Sequence, residues 1–244
     1  RHYPLSQATL VVVGAVSPAL VAARLDALLP PQPAEAAARE EPGEAKTERG
    51  EPEAPASSST EAAVRAPRQI IKTMKQPQAH VVLGFRGASV RDPERHALEV
   101  LLTVLAGPEG RLRQTLVERR ALAFRFEALA VDGLDPGYVA LYAATTPERA
   151  EPLQAALREE LRRLVAQPVT DDELQRAREH LIGLSETGME RRARLAEALA
   201  LHEVYGLGAA EAGRYAERTL AVDAAAVQRA ARRFLDERPA VLAA

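Results

Sequence analysis

The chain has 244 residues, with 32 basic against 34 acidic side chains, a formal net charge of -2, 47% apolar residues and 4% aromatic ones. So balanced a charge argues against nucleic acid or an acidic membrane surface as the main partner. The absence of Cys excludes disulfides, thiolate metal sites and thiol catalysis, and no apolar run approaches the roughly 20 residues of a membrane-spanning helix.

The length allows one large domain or two small ones, and any core must be built from Leu, Val and Ala. Lys46, Lys72 and Lys75 are the only lysines. That bias fits a GC-rich bacterial genome and leaves the compartment open between cytoplasm and periplasm.

Residues 1–29 read as a strand followed by a helix. Thr9 to Val13 is β-branched and apolar, and Gly14 ends it. Ser17 can cap a helix with Pro18 in its first position, where a missing N–H costs nothing. Leu20, Val21, Leu25, Leu28 and Leu29 then form one apolar stripe. Residues 30–67 open on Pro30, Pro31 and Pro33 and continue in Glu, Ala, Pro and Ser. Too little apolar surface is available to offset ordering entropy, so a disordered linker is expected there.

Residues 68–244 form the main body. A strand is expected over His80–Phe85 and a helix from Asp92-Pro93-Glu94, with Ala97, Leu98, Leu101, Leu102 and Leu105 on one side. Arg111–Arg119 reads as a short second helix. Strands follow over Ala123–Val131 and Tyr138–Ala143, with Gly133, Pro136 and Gly137 as a hairpin signal between them. Leu153, Leu157, Leu161 and Leu164 mark the next helix. Thr170-Asp171-Asp172-Glu173 is a capping box that opens another, backed by Leu174, Ala177, Leu181 and Leu184. Asp223 caps the last helix, which carries Val227, Ala230, Ala231, Phe234 and Leu235. Pro239 stops it before a final strand at Ala240–Leu242. Hairpin-paired strands followed by gathered helices imply an α+β fold, an antiparallel sheet with helices packed on one side.

There is an internal echo. Tyr3-Pro4 leads through polar residues to the strand at Leu10–Val13, as Phe234-Leu235 leads through Asp236–Pro239 to Ala240–Leu242. Residues 1–29 then read as the tail of an upstream copy of the same domain, or the echo is simply what any helix–turn–strand junction looks like.

Several short segments in order carry a more specific signal. They are Val13-Gly14-Ala15-Val16, the strand Val81–Gly87, Asp92, the Leu-rich Leu101–Gly107, Gly110-Arg111-Leu112, Glu118-Arg119-Arg120-Ala121-Leu122-Ala123-Phe124 and Thr170–Ala177. Together they resemble the second, non-zinc half of the pitrilysin/insulinase family of zinc metallopeptidases, relatives of mitochondrial processing peptidase and insulin-degrading enzyme. The resemblance implies a pitrilysin-like half-domain over 68–244, one of two homologous α+β halves facing each other across a substrate chamber.

In that family zinc is held by His-x-x-Glu-His on a helix, two His on one helical face with a Glu to activate the bound water. No such motif occurs here. The nearest approach is His96-Ala97-Leu98-Glu99-Val100, where Val100 cannot ligate. His96 is therefore expected to be a helix-surface residue. No cofactor is expected in this chain, with zinc in the partner half, an upstream HxxEH domain or a separate subunit.

Active second halves contribute an Arg and, seven positions on, a Tyr that clamp the peptide substrate. Mapped through Glu118 and Leu122-Ala123, these positions fall on Val117 and Phe124. Both polar groups are gone, and no catalytic residue or metal ligand is assigned. The expectation is that Val117 and Phe124 pack as ordinary apolar residues.

Arg113, Arg119, Arg120 and Arg125 form a basic cluster around this segment that suits an acidic peptide or partner, or is a solvated face. His180 and His202, each beside a Glu, read as solvated helix faces. Gly206-Leu207-Gly208 and Gly183–Gly188 lack the spacing of a phosphate loop or a nucleophile elbow. Two functions stay open: the substrate-chamber half of a zinc peptidase acting with an HxxEH half, or a non-catalytic scaffold or partner subunit.

Overall fold

Apolar residues alternate along Ala79–Arg86 and Tyr138–Thr145, so Val81, Leu83 and Phe85 line one face and Val139, Leu141 and Ala143 lie beside them. This alternation sets the sheet. In the computed structural model, residues 8–29, 68–72, 76–235 and 241–243 are described. In chain order the elements are α1 (Pro18–Leu28), β1 (Arg68–Ile70), β2 (Ala79–Arg86), α2 (Arg95–Ala106), β3 (Arg125–Val131), β4 (Tyr138–Thr145), α3 (Ala150–Ala166), α4 (Asp171–Met189), α5 (Arg192–Val204), α6 (Tyr215–Leu220), α7 (Ala224–Phe234) and β5 (Val241–Ala243). A π-helical segment, Arg113–Arg119, precedes β3.

The strands form one sheet in the order β1-β5-β2-β4-β3. Its pairs are antiparallel except the edge pair β1–β5, which is parallel. The β3–β4 connection is stitched to the segment after β2. Gly87 N–H donates to Gly137 O, Gly137 N–H to Ala88 O and Val90 N–H to Gly133 O, each at 2.8 Å. A Cβ on Gly137 would lie 1.7 Å from Val131 O, so only glycine fits that crossing.

The inner sheet face packs on α2 and α3, and α7 packs against both helices. Leu98, Leu101 and Leu105 of α2 and Leu153, Leu157, Leu161 and Leu164 of α3 are fully buried at helical spacing. Each buried Leu contributes about 1.5–3 kcal/mol of transfer free energy. The Asp223 carboxylate accepts from Ala226 N–H at 2.6 Å and opens α7 as its sequence predicts. The outer face stays uncovered at Leu129, Val131 and Tyr138. There His80 Nδ1 meets the Tyr142 hydroxyl at 2.8 Å with the two rings stacked. This is the expected α+β layering with helices on one side.

Three details differ from the sequence expectation. Residues 8–13, read as a strand at Thr9–Val13, pair with nothing among the described residues. An isolated strand gains nothing without a neighbour for its backbone groups. The helix expected at Arg111–Arg119 is wound as a π-helix from Arg113. Leu184, expected on the buried stripe of α4, is exposed, because that stripe ends at Leu181.

The described chain divides into two compact units. One holds 68–72, 76–185, 214–235 and 241–243 and contains the sheet. The other holds 8–29 and 186–213, and none of its described residues is buried. Within that second unit α5 ends in a Schellman motif. Leu207 N–H donates to His202 O at 2.8 Å and Gly206 N–H to Glu203 O at 3.0 Å, with Gly206 at φ 68°. The glycine pair is a helix stop. The stretch 30–67, expected to be a linker, lies outside the described residues.

Candidate functional site

The π-helical segment and the turn after it bring the two expected clamp positions to one place. Arg120 N–H reaches back to Thr115 O at 3.1 Å, the i to i−5 bond of a π-helix. Ala121 then takes φ 49°, the left-handed region that costs a non-glycine residue about 1–2 kcal/mol. Several bonds hold it there. Arg149 donates to Ala121 O and the Thr145 hydroxyl to Leu122 O, both at 2.6 Å. Leu122 N–H donates to Leu116 O at 2.6 Å, Phe124 N–H joins Ala144 O at 2.9 Å, and Arg120 pairs with Glu159 at 2.9 Å. Below the segment, the Thr115 hydroxyl donates to the buried Glu160 carboxylate at 3.2 Å, which also accepts from Arg163 at 2.9 Å.

Val117 and Phe124 both line a cleft of about 480 Å³. The end of α2, at Ala106, Gly107 and Pro108, forms one wall. Arg113, Arg125, Phe126 and His180 complete it. Val117 packs half-buried on the core, as expected of an ordinary apolar residue. Phe124 does not pack as expected: it is 58% exposed, because the chain bends there before β3 begins. Of the four arginines in the basic cluster, Arg113 and Arg125 line the cleft.

His180 was read as a solvated helix face and instead borders this cleft. It also borders a neighbouring cavity of about 250 Å³, lined in part by Glu109, Glu173, Arg176 and Glu179. Glu173, Arg176, Ala177 and His180 fall at i, i+3, i+4 and i+7, one helical face, and that spacing was the available signal. At the cavity rim Arg111 grips Glu173 with two bonds of 2.6 and 2.7 Å, while Thr170 N–H and its hydroxyl reach the same carboxylate at 2.9 and 3.0 Å. The Arg111 guanidinium, aided by Thr170, holds the Glu173 carboxyl at about 2.

The near-motif on α2 does not form a metal site. Val100 lies fully in the core. His96 corrects the expectation of a helix-surface residue: its side chain is only 12% exposed and meets Tyr215 edge-on, with centroids 5.6 Å apart. Its Nδ1 is 3.8 Å from Glu99. Burial, then the Glu99 carboxylate, push the Tyr215 phenol up. Among the described residues no three His, Cys, Asp or Glu side chains gather as metal ligands. The described residues do not fit a zinc ion.

Comparison with known proteins gives the chain a family. The family model of the peptidase M16 inactive domain matches residues 1–181. The chain belongs to the peptidase M16 inactive domain family. As such it is a second-half domain of the pitrilysin family, of the inactive type, related to zinc proteases. It is 35% identical over 117 residues to an uncharacterized zinc protease of Streptomyces coelicolor, covering 48% of this chain and 26% of that protein. It is 28% identical over 116 residues to the uncharacterized zinc protease YmxG of Bacillus subtilis, covering 47% and 28%. The matched stretch thus spans under a third of these relatives.

In fold, this M16 inactive domain is similar to a protease from Helicobacter pylori, with TM-score 0.69, 18% identity and coverage of 75% of this chain and 45% of that one. It is also similar to a peptidase M16 inactive domain from Pseudomonas fluorescens, with TM-score 0.68, 19% identity and coverage of 75% and 44%. No described helix of the domain is long and apolar enough to cross a membrane.

Proposed function

We propose that this domain is the substrate-chamber half of a zinc metallopeptidase and works with an HxxEH-bearing half or subunit that supplies the zinc. The observation that carries the reading is that Val117 and Phe124, mapped independently from sequence, line one cleft together with Arg113, Arg125 and His180. In this reading an extended peptide lies against that cleft. The domain's residues hold and orient it, and bond cleavage belongs to the partner half. Residues 1–29 are then the strand–helix tail of an upstream homologous domain. Leu10, Val12, Leu20 and Leu28 are exposed there, a set that an absent sheet neighbour would cover. The way β5 enters the sheet after α7 supports the same role for residues 9–13 in another copy.

The test is reconstitution. The chain alone is expected to cleave no fluorogenic peptide and to bind no stoichiometric zinc by metal analysis. Addition of the HxxEH half, in cis or as a separate subunit, is expected to produce cleavage well above that of the HxxEH half by itself. Equal rates with and without this domain would defeat the chamber role. A second reading, a non-catalytic scaffold or partner, is favoured by one observation: both clamp positions lack a polar group, so neither can bond a peptide backbone.

A further inference from the structure

We infer that the cleft at Val117 and Phe124 is a binding site for a carboxylate carried beside an apolar side chain. This rests on the chamber role only in supposing that the ligand is a peptide. The reasons lie in the lining. Arg113, Arg125 and His180 supply three donors to the cleft, while Val117, Phe124 and Phe126 supply an apolar wall. Among the described residues no carboxylate lines it. The volume, about 480 Å³, suits one or two residues of a peptide.

Each guanidinium is paired with an exposed carboxylate, Arg125 doubly, through Nε and Nη2. Arg113 pairs with Glu118 at 3.7 Å with both side chains 57% exposed, and Arg125 donates to Glu127 at 2.7 Å on the open surface. Exposed pairs of this kind hold weakly. An incoming carboxylate in the cleft meets the same guanidiniums beside apolar walls, where water is displaced and a charge-assisted bond is stronger. Phe124, 58% exposed, offers its ring to the ligand's side chain.

The carboxylate has two sources, a peptide C-terminus or an Asp or Glu side chain, and the experiment separates them. Isothermal titration of the full chain uses three unlabelled peptides: acetyl-Ala-Ala-Phe as the free acid, the same peptide as its C-terminal amide, and acetyl-Ala-Glu-Phe amide. The free acid is expected to bind about tenfold more tightly than the plain amide, with the advantage shrinking as salt rises. A gain over the plain amide in the Glu amide alone assigns the site to side-chain carboxylates, a gain in the free acid alone assigns it to C-termini, and a gain in both shows that it takes either.

Arg113→Gln and Arg125→Gln should each erase most of the acid-over-amide preference. Phe124→Ala should weaken acid and amide alike. Arg194→Gln, in the other unit, should change nothing. Thermal melts check that each variant is folded. The inference is overturned if neither the free acid nor the Glu amide binds more tightly than the plain amide, or if the two cleft arginine variants retain the carboxylate preference. Binding without cleavage in the reconstituted assembly would leave this site standing and remove the peptidase reading; cleavage without carboxylate preference would do the reverse.

Discussion

At the scale of single residues, two side chains define how the cleft is held. Ala121 sits at φ 49° without being glycine, kept there by bonds to its carbonyl and its neighbours. Glycine would relieve the Cβ clash while losing more chain entropy on folding. The net expectation is that Ala121→Gly raises stability by about 0.5–1 kcal/mol, read as a higher urea midpoint at unchanged slope. A lower midpoint would mean that Ala121 is not left-handed in solution. Glu173 is the second. Its carboxyl is held at about 2 against an ordinary 4.5, chiefly by the Arg111 side chain. A depressed acid stabilises the fold fully above the unfolded value and loses that contribution as pH falls from 4.5 toward 2. Solvent at the cavity rim screens the pair, so about 1–2 kcal/mol is expected. Glu173→Gln keeps the reach back to Thr170 N–H but removes the charge. Its stability should therefore fall less steeply between pH 5 and pH 2.5, as about 1–2 kcal/mol is already missing at pH 7. Parallel pH profiles for the two proteins would show that the Arg111 pair contributes nothing.

At the scale of elements, the π-helical segment depends on its anchor to α3. Glu160 is buried and its two partners, Thr115 and Arg163, come from different elements. Thr115→Val keeps the shape and removes one bond to a buried carboxylate. The expected cost is about 1–3 kcal/mol, and hydrogen exchange should rise first in 113–124 if the segment opens by itself. Uniform exchange across the sheet would instead make the segment part of the global unit. The same elements show what was readable in advance. β2, β4, α2, α3 and α7 carry full apolar periods, so their sequence names both element and buried face. The capping box at Thr170 and Glu173 and the Asp223 cap are local, and both form as written. Arg113–Arg119 differs from an α-helix by one residue per hydrogen bond, a difference no apolar pattern records. β1 has three residues and exists only through its pairing with β5, some 170 positions away in sequence. His180 shares a face with Glu173, which is legible. Its position beside Pro108 and Phe124 depends on how α4 meets the end of α2 and the start of β3, which no local signal encodes.

At the scale of the whole molecule, the question is whether the lost clamp can be restored. Phe124 is exposed on the cleft, so Phe124→Tyr adds a hydroxyl in water at little cost to the fold. Val117 is half-buried but also lines the cleft, so an Arg there can lay its stem on the core and carry its head into the opening. The expected stability loss for Val117→Arg with Phe124→Tyr is about 1 kcal/mol, well under that of a guanidinium buried without a partner. If the domain lines a peptidase chamber, the double variant should raise kcat/KM of the reconstituted assembly severalfold. Each hydrogen bond to a peptide contributes about 0.5–1.5 kcal/mol, and a charged donor somewhat more. The gain should appear with peptides long enough to reach the cleft and vanish with shorter ones. If the domain is a scaffold, the melt should shift in the same small way with no kinetic gain. A large loss of stability would show that Val117 has no route to the cleft, which removes the mapping itself. Melting temperature and kcat/KM measured on the same preparation therefore decide between the two functions.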